Sequence, residues 1–173
     1  MNVNISMNDA SGLRAFITRI ENYVQQFDQK CTEVCTRLAE IGKDVLDATY
    51  AAAAYAGTND ISVSLEPMEG GCRLSARGSV LGFIEFGTGS SYPLGDYAGQ
   101  VGAPSHGTYG KGMGNQPSWV YVGDPGNLGT VMHYGKKGAV VRTSGNPPAN
   151  AFPAAVEAMR ANFEQVVREV FEV

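Results

Sequence analysis

Apolar residues recur from Leu13 through Ile17, Ile20, Val24, Phe27, Cys31, Val34, Leu38, Ile41, Val45, Ala48 and Ala52 to Tyr55, in steps that alternate four and three without a miss. A 3.5-residue period held this long marks an α-helix with one continuous apolar seam. Phe16 and Tyr23 widen the seam in its first half, and the alanine run 51–54 favours helix by propensity. Asn8, Asp9 and Ser11 are candidate N-caps, and Gly57 is a candidate stop. A helix from Leu13 to Ala56 is a rod of roughly 66 Å, whereas a compact chain of this length has a radius of gyration of about 16 Å. Such a rod either breaks, with Gly42 as the place, or is covered in part by neighbouring subunits. The seam runs through Gly42 in register, which favours neighbours and makes Ile20, Val24 and Phe27 candidate interface residues.

The remaining chain reads as a single α+β domain over 1–173, with the helix in 1–56, a β-sheet with a long loop (87–117) in 57–145, and a C-terminal helix in 146–173. ISVSLEP and CRLSARG alternate apolar and polar residues and predict strands joined by a turn at Met68–Gly71. SVLGFIEFG, from Ser79 to Gly87, is apolar at both parities until Glu85, and predicts a strand covered on both faces. The simplest topology is an antiparallel meander with the two helices packed on it. Further on, SWVYV predicts a short strand, and TVMHYGKKGAVVRTSG a hairpin turning at Gly135–Gly138. After Pro147 and Pro148, Asn150 is the expected N-cap of a helix whose apolar face is Phe152, Val156, Met159, Phe163, Val166, Val167 and Val170.

The loop and its chemistry bear on function. Nine glycines lie between Gly87 and Gly114, interspersed with Tyr92, Tyr97 and Tyr109 and followed by Trp119 and Tyr121. Glycine and serine give adaptability while tyrosine and tryptophan give contact area at low rotamer cost, the mixture of a protein-binding surface. Gly87, Thr88, Gly89 and these aromatics are therefore candidate partner-contact residues. Lys111 is the only Lys or Arg between Gly78 and Gly135, and the net charge of −4 argues against gripping nucleic acid or anionic lipid.

Motifs for phosphate, metal or nucleophilic chemistry do not occur. Tyr92 and Asn115 stand where a dinucleotide fingerprint needs its third glycine, and GxSxG and HExxH are absent. Cys31 is already a seam position, so Cys31 and Cys35 do not suggest zinc, and three irregularly spaced cysteines do not suggest a disulfide framework. The start of the chain lacks a signal-peptide pattern, which predicts a cytoplasmic start. No catalytic residue, metal or cofactor is expected. Glu85 is expected to be satisfied by backbone N–H groups of Gly87–Ser90, or else by an arginine of another subunit, Arg77 or Arg142. Two other classes stay open: an enzyme using Glu85 with His106 or His133 as acid and base, and a monomeric ligand-binding module.

The order of parts resembles a known family. A long helix, a meander, FIEFGTG at 83–89, the glycine and tyrosine loop, PSWVYVG, TSGNPPANAF and a closing helix together look like the neck and tail-completion (head-tail joining) proteins of long-tailed bacteriophages, the gene-ten-product-like proteins of the HK group. Phe83–Gly89 is the most specific stretch, supported by Asn150, Ala151 and Phe152, and the resemblance covers Ile41 to the C-terminus. The chain departs from it at Ala56-Gly57-Thr58, where many members carry a Pro and Thr-Gly turn. The resemblance implies a structural virion protein that forms a homo-oligomeric, hexameric ring between the head connector or stopper and the tail tube or tail terminator. DNA would pass through the lumen without specific binding.

Overall fold

In the computed structural model, which describes residues 10–108 and 110–172, the first element is a single unbroken helix, α1 (Ala10–Ala52), of 43 residues. The expected caps Asn8 and Asp9 lie outside the described residues. Gly42 is no break: a Cβ there would stand 3.0 Å from both Leu74 and Met159, so the glycine lets the rest of the fold approach the helix. Next come β1 (Ser62–Met68), β2 (Gly71–Arg77), α2 (Leu81–Phe86), α3 (Asp96–Gln100), β3 (Trp119–Val122), β4 (Thr130–Gly135), β5 (Gly138–Thr143) and α4 (Ala151–Phe171). The α+β class with antiparallel strands and long first and last helices is as expected.

Two details of α1 differ from the seam. The helix ends four residues before Ala56 and without a glycine: Tyr50 O, in its last turn, accepts from Ala53 N at 3.2 Å and Asn59 Nδ2 at 2.8 Å, and Asn127 Nδ2 donates to Ala53 O, just past the end, at 3.0 Å. The buried positions also change line. Val34, Leu38 and Ile41 follow the heptad against α4, but further on Leu46 and Tyr50 are buried while Ala48 and Ala52 are exposed. At about 100° per residue Leu46 and Tyr50 lie roughly 120° and 160° round the helix from Val34, so they belong to a second face, shared with the buried Ala39 and Gly42 and turned toward Ile84, Ala151 and Ala155.

The sheet is not one meander. β1 and β2 form a hairpin paired from Ser62↔Arg77 to Met68↔Gly71, and β3, β5 and β4 form a separate three-stranded sheet with β5 in the middle. The expected third strand, Ser79–Gly87, is the short helix α2 instead. Its entrance is held by Asp60, whose carboxylate accepts from Ser79 N at 2.9 Å and Val80 N at 3.2 Å. The Ser79 hydroxyl and these amides pull the pKa of Asp60 below the ordinary aspartate value.

All four terminal carbonyls of α2 find partners elsewhere in the chain. Asn146 Nδ2 reaches Phe83 O at 2.9 Å, Ala149 N reaches Ile84 O at 2.8 Å, Asn150 N reaches Glu85 O at 3.2 Å, and His106 Nε2 lies 3.3 Å from Phe86 O. A six-residue helix is marginal alone, and these tertiary bonds stabilise this one. Ile84 packs inward with Leu46, Tyr50, Ala151 and Ala155 as the main core.

The loop leaves α2 through a tight crossing. Thr88 and Asn146 exchange two backbone bonds of 3.0 Å, and the Thr88 hydroxyl donates to Asn146 Oδ1 at 2.7 Å, with both residues buried. Gly145, at φ +92, touches this crossing, and a Cβ on it would stand 2.0 Å from Thr88 O. Gly145→Ala is therefore expected to lower stability by about 2–4 kcal/mol, since strain at positive φ and a backbone clash each cost roughly 1–3. Gly70→Ala, at φ +74 with nothing within 4 Å, is the control and is expected to show the conformational cost alone in urea unfolding.

Candidate interaction surfaces

Glu85 is 2% exposed, and its carboxylate accepts three hydrogen bonds within the chain: from Tyr50 Oη at 3.0 Å, Ala151 N at 3.0 Å and Phe152 N at 3.1 Å. The two amides belong to the first turn of α4, so Glu85 caps α4 in place of Asn150. Asn150 occupies the cap position in a left-handed conformation, φ 49, and makes no side-chain cap bond. The expectation that Gly87–Ser90 would satisfy Glu85 thus gives way to a tertiary cap, and within the chain Arg77 and Arg142 bond elsewhere, to Glu66 and Ser118. A carboxylate at a helix N-terminus also opposes the helix dipole favourably. Burial first, and then the Glu85 charge, push the Tyr50 phenol well above its ordinary pKa, so Tyr50 stays a donor. Of the histidines, His106 bonds the α2 carbonyl and His133 is exposed on β4.

The other loop candidates fall in different places. Gly87 ends α2 at φ 74, and Gly89 N donates to Gly114 O at 2.7 Å, which ties the start of the loop to its end. Tyr97, on α3, lies against Phe86 with ring centroids 6.0 Å apart, and burial raises its pKa. Tyr92 lines a small separate cleft with Arg142 and Ser144. Tyr109 lies outside the described residues. Trp119 and Tyr121 are half-buried on β3, and Tyr121 Oη donates to Asp124 O at 2.7 Å. They line a groove of about 690 Å³ with Phe83, Thr88, Tyr55 and Met113. The periodicity offered no sign of Tyr50 or Asn146, because each is recruited by residues more than thirty positions away.

A different surface is formed by α1. No residue from Ser11 to Gln29 is buried, and Ile20, Val24 and Phe27 are 47%, 50% and 47% exposed. α4 reaches as far as the Phe27 ring, which meets Phe171 at 5.7 Å, and there Lys30 Nζ donates to Val170 O. Beyond that point the seam of Leu13, Ile17, Ile20 and Val24 continues uncovered, among the described residues, for roughly 21 Å at 1.5 Å per residue.

No family model, curated protein or solved structure matches the chain. Among the described residues there is no cluster of metal-binding side chains, and no helix is long and apolar enough to cross a membrane. Two surfaces stand out: the bare α1 seam and the groove beside β3.

Proposed function

We propose that this protein is a non-enzymatic assembly component: a structural virion protein of a long-tailed bacteriophage that forms a homo-oligomeric ring at the head-tail neck or tail end and joins or completes the tail. The observation that carries the assembly role is the seam Leu13–Val24, whose apolar side chains are about half exposed and lie on a stretch of α1 where, among the described residues, none is buried. Exposed apolar patches of this extent mark sites of protein association. The virion setting rests on the resemblance of Phe83–Gly89 and its flanking segments to the neck and tail-completion family. In this reading the ring is a hexamer, head connector or stopper and tail tube or tail terminator proteins are its neighbours, and the protein assembles in the host cytoplasm.

Heterologous contacts between identical copies close into rings when the rotation permits, and an acidic surface repeated around a ring lets DNA pass without sticking. Negative-stain images of the purified protein are expected to show closed rings, and particles assembled without it unjoined heads and tails. A protein that sediments as a monomer at every concentration, together with normal joining in its absence, would overturn the reading.

A further inference from the structure

The groove beside β3 has a property that aromatic lining alone does not convey: all four strand residues, Trp119, Val120, Tyr121 and Val122, border it. Side chains of a strand alternate between faces, so a groove touching four in succession runs along the strand's edge. β3 is an edge strand, with β5 on its other side. Gly123 N donates to Ala139 O at 3.0 Å, which by antiparallel alternation turns the peptide groups of Trp119 and Tyr121 toward β5 and those of Val120 and Val122 outward. Among the described residues no backbone hydrogen bond reaches that outer edge. An open edge flanked by an apolar groove is the geometry of strand addition, in which main-chain bonds supply affinity and alternate side chains enter pockets.

The chain carries a segment of matching chemistry. Met1, Val3, Ile5 and Met7 alternate with Asn2, Asn4, Ser6 and Asn8, the pattern of a strand with one apolar and one polar face. These residues lie outside the described structure, and they precede Ala10 at the far end of α1. The groove is at the other end, bordered by Tyr55, three residues past the end of α1. The helix spans about 64 Å at 1.5 Å per residue, while nine extended residues reach about 32 Å at most. The segment cannot reach its own groove.

We propose that residues 1–8 of one copy add as a strand to the free edge of β3 in a second copy, with Met1, Val3, Ile5 and Met7 directed into the groove. The addition rests on the reading that copies associate, but it uses a different surface from the α1 seam. Being head-to-tail, it suits a ring. It also protects an edge that would otherwise be open to indiscriminate pairing.

The test uses a fluorescent peptide of residues 1–9 and the full chain carrying Val3→Asp and Ile5→Asp, so that its own segment does not compete. Anisotropy is expected to rise saturably. Two further peptides, N-methylated at Val3 and Ile5 or at Asn4 and Ser6, separate edge pairing from apolar adhesion: one is expected to lose at least tenfold in affinity and the other to bind normally. Val120→Pro, which removes an outward N–H, is expected to lose binding too, and the methylated peptides keep the test valid if that variant fails to fold. Absence of binding, or equal behaviour of the methylated peptides, overturns the proposal. The seam variant Ile20→Asp/Val24→Asp is expected to bind the peptide normally. Absence of peptide binding therefore counts against strand addition alone, and unchanged self-association of the seam variant against the seam alone.

Discussion

Glu85→Ala is expected to destabilise the protein by about 4 kcal/mol, the largest single-residue effect in the fold. The substitution orphans three donors at once, the Tyr50 hydroxyl and the amides of Ala151 and Phe152, and each unpaired buried donor costs roughly 1–3 kcal/mol before water entering the space recovers part. Glu85→Gln is expected to cost less, about 2 kcal/mol, because it keeps an acceptor but places an amide NH₂ among donors and removes the charge at the start of α4. Tyr50→Phe leaves both backbone bonds in place and is expected to cost about 1–2 kcal/mol. Urea unfolding of the three variants under conditions where the protein is monomeric checks the order. A Glu85 that acted only between subunits would leave monomer stability unchanged and abolish oligomers instead.

Ile20→Asp/Val24→Asp has the opposite signature: self-association is expected to weaken by a hundredfold or more, with the melting temperature of the monomer nearly unchanged. Both side chains are about half exposed on a stretch of α1 where nothing is buried, so the monomer loses little. Across an interface each aliphatic side chain contributes about 1.5–3 kcal/mol, and every 1.4 kcal/mol is tenfold in affinity. Sedimentation velocity over a concentration series measures the first effect and calorimetry the second. Unchanged sedimentation would show that the seam is bare in solution and that association uses another surface.

Helix α1, helix α4, the β1–β2 hairpin and the β4–β5 hairpin were legible from period and turn residues, because in each the pattern extends over enough residues to select one structure. α2 was not. Leu81–Phe86 is short and, Glu85 apart, apolar on every side, a run that fits a buried strand and a buried helix turn equally. What settles it is Asp60 at one end and the segment 146–150 at the other, both distant in sequence. The identity of the α4 cap was hidden for the same reason. Asn150 has the right residue type in the right place, yet its left-handed backbone leaves the first-turn amides to Glu85, 65 residues earlier.

By itself the sequence determined the long helical period and its apolar seam, since both follow from a local repeat, while a break at Gly42 and cover by neighbours stayed open. It also determined the absence of the familiar phosphate, metal and nucleophile motifs, and it singled out Glu85 as the one charged residue in an apolar run. Tertiary structure decided where the seam stops being covered, at the contact of Phe27 with Phe171. It decided that SVLGFIEFG bends into a helix, and that Glu85 joins Tyr50 and the start of α4 in one buried site. Those outcomes rest on hydrogen bonds between residues far apart in the chain, which local periodicity does not encode.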